Sequence, residues 1–299
     1  MKTSESILLD RGFRITHPEK PVWQHPLITK QQFIDYLKIA APMMLPFLSG
    51  RALTVIRFPH GVPGTSFFQK NCPNYAPASI RTYTEDGTQY IVCDNTETLT
   101  WLGNQLAIEF HIPFQKAGAV GPEEIIFDLD PPERSAFSLA VKAAVEMKIL
   151  FERLSIISFP KLSGSRGLQI HLPVSGLGFS YADTRLFTKF VADLLVSRSP
   201  AYFTTERLKK NRGGRLYIDY VQHAEGKTII SPYSPRGKEG ATVAAPLFWY
   251  EVNDALRAES FTITTMLDRI SKGINPMHGY FEQRNESLIP IIKRLKSST

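Results

Sequence analysis

Cysteine is nearly missing from this sequence: there are two in 299 residues, Cys72 and Cys93. Neither lies in a CxxC, and no histidine is spaced to complete a zinc site with them. This excludes a disulfide scaffold and a structural zinc module, and the pair reads as reduced thiols of a cytoplasmic protein. Long apolar runs are missing too. Nothing approaches the roughly 18 residues that a membrane span needs, so no membrane partner is expected. Met1 to Arg14 is polar and lacks the apolar core of a signal peptide. There is no internal repeat, no low-complexity tract and no stretch that reads as a linker between independent domains. Acidic residues are outnumbered, with 28 Asp and Glu against 35 Lys and Arg and a net charge of +7. That surplus is compatible with a polyanionic partner without demonstrating one.

What is present alternates between helical and extended patterns, an α/β (α+β) reading. Residues 1–14 form a lead-in. Thr29 opens a helix in which Phe33, Ile34, Leu37, Ala40, Ala41, Met44 and Leu45 recur at helical spacing, with Pro42 and Pro46 expected to bend or end it. Leu53 to Phe58 reads as a strand. Residues 60–88, rich in Pro, Gly, Asn and Thr, read as a long, partly ordered loop carrying Phe67-Phe68. Tyr90 to Cys93 is a short strand, Asn95 caps a helix to about Ala107, and Ile108 to Ile112 is extended. Further on, strands are expected at Glu124–Leu129, Leu168–Val174, Leu216–Val221 and Thr228–Ile230. Helices are expected at Ser135–Leu154, Tyr181–Val196 and 253–271.

The strongest chemical signal is Ile125-Ile126-Phe127-Asp128-Leu129-Asp130-Pro131. Side chains alternate along a strand, so Asp128 and Asp130 point to one face while Leu129 points into the core. Paired carboxylates are hard ligands suited to Mg²⁺ or Mn²⁺, and such a pair can hold two cations roughly 4 Å apart for an in-line phosphoryl displacement. A DxD can also merely cap the next helix. A second acidic strand, Arg215-Leu216-Tyr217-Ile218-Asp219-Tyr220, weighs against that, because a carboxylate among apolar and aromatic residues needs a cation or a salt bridge.

Between the acidic strands lies Leu162-Ser163-Gly164-Ser165-Arg166-Gly167-Leu168-Gln169-Ile170-His171. Its small residues allow close backbone approach and an anion-binding nest, and Arg166 adds a fork suited to phosphate. A tight turn alone would explain the glycines equally well. Downstream, Gly226-Lys227-Thr228 runs on to Ser234-Pro235-Arg236-Gly237-Lys238, a basic loop that either neutralises a triphosphate or is merely solvated. The order of acids, glycine turn, acid and basic loop is what nucleotidyl transfer requires.

Taken together, FDLDP, SGSRGLQI and YIDY followed by GKTIISPYSPRG resemble the polymerase domain of bacterial DNA ligase D, of the archaeo-eukaryotic primase superfamily, from about Ile15 to Ile270. The resemblance implies a primase-polymerase fold with an RRM-like mixed-sheet catalytic core (about 121–275) and an N-terminal α/β lobe (about 15–120), all one catalytic domain over 1–299. It implies that Asp128, Asp130 and Asp219 hold two Mn²⁺ or Mg²⁺ ions. Ser163, Ser165, Arg166, Gln169, Gln222, Lys227, Arg236 and His111 are implied to meet the nucleotide. Thr16-His17-Pro18-Glu19-Lys20 and Thr29-Lys30 resemble family motifs whose lysines grip a DNA 5′-phosphate, and Phe67-Phe68-Gln69-Lys70 a segment whose aromatics stack on template bases. By themselves those residues read as surface lysines and core phenylalanines.

One residue departs from the pattern. Many members have histidine where this chain has Gln169, which carries no charge; His171, facing the same side, is the candidate to compensate. A ligase requires a nucleophilic lysine in a KxDG-type motif, and none is present, so the chain is a stand-alone polymerase or an excised domain. The expected function is addition of nucleotides, ribonucleotides by family preference, to DNA 3′ ends and gap filling in non-homologous end joining. Its partners are DNA ends, gapped or nicked duplex, NTP or dNTP, a Ku-like end binder and a separate or fused ATP-dependent ligase. The alternatives are a primase acting de novo, a non-catalytic DNA-end-binding module and a metal-dependent phosphohydrolase.

Overall fold

The computed structural model describes residues 14–298; the lead-in, Arg14 apart, lies outside the described residues. The chain forms two units that exchange segments. Unit 1 holds the described residues up to Ile112, then Ile230–Ala244 and Phe261–Ile274, and unit 2 holds Pro113–Ile229, Ala245–Ser260 and the residues from Asn275 onward. Unit 1 opens with the antiparallel pair β1 (Pro21–Trp23) and β2 (Ile28–Thr29), then helix α1 (Lys30–Leu48) and strands β3 (Thr54–Arg57) and β4 (Phe67–Gln69). The hairpin β5 (Thr82–Glu85) and β6 (Thr88–Ile91), helix α2 (Thr96–Asn104) and strand β7 (Ala107–Pro113) follow. Next come β8 (Glu124–Asp130), α3 (Phe137–Arg153), β9 (Phe159–Leu162), β10 (Leu168–Pro173), α4 (Tyr181–Arg198), β11 (Phe203–Thr204) and β12 (Leu216–Asp219). Strand β13 (Thr228–Ile230) returns to unit 1, which contains α5 (Ile263–Ser271), and α6 (Leu288–Ser297) lies in unit 2.

Unit 2 is built on a mixed sheet of order β11-β12-β8-β10-β9, in which β11 and β12 are parallel and the other pairs antiparallel. Strand β8 is central. Its Phe127 packs against Phe151 of α3 and Phe187 of α4, with ring centroids 5.6 and 6.2 Å apart. The helices therefore cover the Ile125, Phe127 and Leu129 face, and the alternate residues Asp128 and Asp130 stand on the opposite face. A second sheet has order β13-β7-β3-β4, with β4 at its edge.

Thr29 caps α1 as expected, through a reciprocal bond pair with Gln32. The prolines do not end the helix: α1 runs through Pro42 and Pro46 to Leu48. Both are exposed, four residues apart on one face, so the carbonyls they deprive of N–H partners face water while Met44, Phe47 and Leu48 stay buried behind them. The helix expected over 253–271 covers only its second half. Thr262 caps α5, and the preceding residues form turns instead, closed by Leu256 N–H to Asn253 O (3.0 Å) and Ser260 N–H to Arg257 O (3.1 Å). Residues 60–88 are more regular than expected, containing β4 and β5. Asp86 and Gly87 supply the two positive-φ residues (47° and 76°) of the tight β5–β6 turn.

Candidate active site

Strand register places Asp128 opposite Gln169 of β10 on one side and Asp219 of β12 on the other. Gln169 stands opposite Lys161 of β9. The four residues make one row across four strands on the face away from α3 and α4. Lys161 Nζ donates to Gln169 Oε1 at 2.5 Å, and Gln169 Nε2 donates to Asp128 Oδ1 at 3.0 Å. Asp219 Oδ1 accepts from the Tyr217 hydroxyl (3.0 Å) and from Gln222 N–H (2.9 Å). Asp128 and Asp219 each keep a second oxygen outside these bonds, and Asp219 has no ion-pair partner among the described residues. Helix α3 starts without a side-chain cap, so neither acid of the DxD serves as one.

Asp130 is held differently. Arg166 grips it with two parallel bonds, Nε to Oδ1 at 2.6 Å and Nη2 to Oδ2 at 2.9 Å, and Arg212 Nη1 reaches Oδ2 at 3.4 Å. Arg212 also lies 4.1 Å from the centroid of the Tyr217 ring. Burial above all, reinforced by the charges of Asp130 and Asp219, pushes Asp128 up to about 6, against the pull of the Gln169 hydrogen bond and Lys161. Hard carboxylate oxygens left open, on a group destabilised by neighbouring negative charge, fit a divalent cation. As folded, no three His, Cys, Asp or Glu side chains among the described residues are gathered to hold a metal ion, and Asp130 is turned onto its arginines.

A stability experiment follows from Asp128. Its folded pKa of about 6 lies above the unfolded value of about 3.9, so the penalty is absent below the unfolded pKa, grows as pH rises between the two values and is complete above the folded one. Asp128→Asn is therefore expected to raise the melting temperature of the metal-free protein by a few °C at pH 8 and to leave it unchanged near pH 3. An equal or lower melting temperature at pH 8 contradicts this account.

The glycine turn sits directly on the acid strand. A Cβ on Gly167 would stand 2.3 Å from the carbonyl oxygen of Leu129, the residue between the two acids. Ser163 Oγ accepts from the backbone N–H groups of Ser165 (3.2 Å) and Gly167 (3.1 Å), and Gly164 takes a φ of 68°. Gln222 braces the chain after Asp219 by donating to Thr228 O at 2.9 Å. Lys227 is exposed and is not brought into contact with the acids.

The other expected residues lie in unit 1. Glu109 and His111 share one face of β7, with His111 Nε2 3.0 Å from Glu109 Oε2. Arg236 Nη1 lies 3.4 Å from the same carboxylate, and Gly237 N–H donates to its other oxygen at 3.0 Å. Burial opposes the charge on Glu109, but His111, Arg236 and the Gly237 N–H outweigh it and hold the carboxyl below its usual range. Phe67 and Phe68, on the edge strand, are 45% and 70% exposed and so are not core residues. Nor is Lys30 a surface lysine. It is buried at the first position of α1 and donates to Thr16 O (2.7 Å) and Thr16 Oγ1 (3.0 Å), while Lys20 Nζ donates to Pro59 O (2.5 Å). No carboxylate among the described residues pairs with either ammonium.

The sequence profile of the "LigD, primase-polymerase domain" family matches residues 29–277. The chain belongs to that family. It is 47% identical over 287 residues to the bifunctional non-homologous end joining protein LigD of Bacillus subtilis (strain 168), an overlap that takes in 96% of this chain and 47% of the relative. It is 32% identical over 266 residues to the multifunctional LigD of Mycolicibacterium smegmatis, covering 87% and 35%. The chain thus spans about half or less of the length of these relatives. The solved polymerase domain from Mycobacterium tuberculosis ligase D, in complex with DNA, superposes with a TM-score of 0.84 at 29% identity, over 92% of this chain and all of that one. The fold is therefore the primase-polymerase fold of the LigD family.

Against this LigD-family framework, sequence reasoning passed over Lys161, Arg212 and Tyr217. Lys161 looks like an ordinary strand lysine until register shows it beside Gln169. Arg212 lies in Lys209-Lys210-Asn211-Arg212-Gly213-Gly214-Arg215, which reads as a solvated loop, although its guanidinium is nearly buried. The suggested compensation by His171 does not hold. That ring is fully buried, with Nδ1 3.1 Å from Glu124, whose carboxylate also accepts from Tyr280 at 2.6 Å.

Proposed function

We propose that this chain is a metal-dependent nucleotidyltransferase that extends DNA 3′ ends and fills gaps, accepting ribonucleotides, in non-homologous end joining. The observation that carries this is the Asp128–Asp219 row with the Ser163–Gly167 turn seated on the backbone between Asp128 and Asp130. Mn²⁺ or Mg²⁺ held by Asp128, Asp130 and Asp219 would lower the pKa of the primer 3′-hydroxyl and offset charge on the leaving pyrophosphate. Arg166 offers a planar fork that binds a carboxylate now and suits a phosphate equally. Ser163, Ser165, Gln169, Gln222 and Lys227 are assigned to the nucleotide in unit 2. In unit 1, His111 and Arg236, both held by Glu109, are assigned to the nucleotide. Phe67 and Phe68 offer π-faces on an exposed edge for stacking with template bases, worth about 1–3 kcal/mol per base. The whole chain is taken as one catalytic domain. Its proposed working partners are a Ku-like end binder and an ATP-dependent ligase, separate or fused.

Lys20 and Lys30 are assigned to the 5′-phosphate of the downstream strand. Two ammoniums that pair with no carboxylate among the described residues, one of them opening a 19-residue helix whose N-terminus favours anions, suit a dianion. The test is primer extension on a gapped duplex with Mn²⁺ or Mg²⁺, NTP or dNTP, and a downstream strand with or without its 5′-phosphate. Extension that needs metal and is stimulated by the phosphate supports the reading. Phosphate release without extension points to a phosphohydrolase and sinks it. Burial, helped by Lys20, lowers Lys30 to about 8. Stimulation by the phosphate is therefore expected to fade as pH rises through 8, where the lysine loses its proton. Lys30→Ala is expected to weaken stimulation about tenfold at pH 7, the worth of one charge-assisted bond. Unchanged stimulation in that variant would remove Lys30 from the role.

A further inference from the structure

Gln169 is a neutral residue beside a carboxylate that works with cations, and its amide has two unlike ends. The structure fixes which end faces which neighbour. Lys161 Nζ is donor-only and lies 2.5 Å from Oε1. An ionised Asp128 is acceptor-only, and its Oδ1 lies 3.0 Å from Nε2. With an ammonium on one side and a carboxylate on the other, only one amide orientation satisfies both. Lys161 is fully buried and Gln169 nearly so, and both are held in antiparallel register by β9, β10 and β8.

We infer that Lys161 is a positioning residue for the nucleotidyl-transfer site: through Gln169 it fixes the carboxylate of Asp128 so that Oδ2 stays open for a cation. The charge that Gln169 itself cannot carry is thereby supplied from one strand further away. The ammonium touches no reacting group. It acts by holding the amide, as residues behind metal ligands do elsewhere, where their loss lowers metal affinity by about 10–100-fold. His171, on the same face of β10, is occupied by Glu124 and Tyr280 and takes no part in the relay.

This inference rests on the function proposed above, and the test separates the two. Mn²⁺ affinity is measured by electron paramagnetic resonance on the full chain without nucleotide or DNA, beside kcat and nucleotide KM for extension. Wild type, Lys161→Met, Gln169→Leu and the double variant are compared. If wild type neither binds Mn²⁺ nor extends a primer, the functional reading falls and this inference with it. If wild type does both, each single variant is expected to lose Mn²⁺ affinity about tenfold, with a lower kcat and little change in nucleotide KM. The double variant is expected to be no worse than either single, because the two residues act in series. Losses that multiply in the double variant, or Lys161→Met within twofold of wild type, overturn the relay. Should Lys161→Met fail to fold, Lys161→Arg, which keeps a donor and the charge, must retain affinity within threefold while Gln169→Leu loses it; Gln169→Leu binding Mn²⁺ like wild type overturns the inference.

Discussion

Asp128→Ala is expected to lower nucleotide addition by roughly 10³-fold or more, measured as single-turnover primer extension, while DNA affinity by fluorescence anisotropy stays level or rises. Removing a single preorganised electrostatic contact from an enzyme site typically costs 10²–10³-fold. Asp128 is more central than that, as the one acid whose register neighbours are Asp219 on one side and the Lys161–Gln169 pair on the other. The folded protein tolerates its removal, because Asp128 points away from the Phe127 core and its charge is held against burial and two neighbouring acids. DNA binding is not weakened, since a carboxylate repels phosphate. Extension within tenfold of wild type would mean that chemistry occurs elsewhere. The acids would then be no more than a polar strand end, and an end-binding module would become the better account of the chain.

How far the sequence discloses this site depends on the range of the interactions involved. Asp128 and Asp130 were legible as a same-face pair because strand alternation is local, and Thr29 was legible as a cap because a capping box spans four residues. The Asp86-Gly87 hairpin was equally local. It went unread only because it ends a Pro-, Gly- and Asn-rich stretch that looks irregular as a whole. The row Lys161–Gln169–Asp128–Asp219 was not legible, because it depends on the pairing of four strands whose members lie about forty residues from Asp128 on one side and about ninety on the other. Nor does a sequence show that a strand lysine is fully buried. His171 illustrates the opposite error. Alternation correctly places it on the face of Gln169, but its partners are Glu124 and Tyr280, and Tyr280 comes from a segment that carried no sequence signal. The exchange of segments 230–244 and 261–274 between the two units is likewise invisible, since no linker composition marks the crossings.

Gly167→Ala is expected to cost roughly 10²-fold in extension while removing no chemical group at all. The added methyl would stand 2.3 Å from Leu129 O and 3.6 Å from Pro131 Cδ. The first contact is with backbone, in the middle strand of the sheet, and cannot be relieved by turning a side chain. Either the Ser163–Gly167 turn lifts off or the end of β8 yields, and in both cases Arg166 and Asp130 shift relative to Asp128. Displacements near 1 Å at a reacting centre cost about 10²-fold when geometry is the main source of rate. Overpacking of this kind also destabilises by about 1–3 kcal/mol, so a modest fall in melting temperature should accompany the kinetic loss. The glycine φ here is not in the left-handed region, so the effect is steric, and serine should behave like alanine. Gly87→Ala provides the control: its Cβ would meet nothing within 4 Å, and its positive φ of 76° predicts strain in the β5–β6 turn with no loss of extension chemistry. A Gly167→Ala protein that extends primers like wild type would show that the turn's seat on Leu129 is incidental, and would shift the weight of the phosphate-binding assignment from the turn's backbone to Arg166 alone.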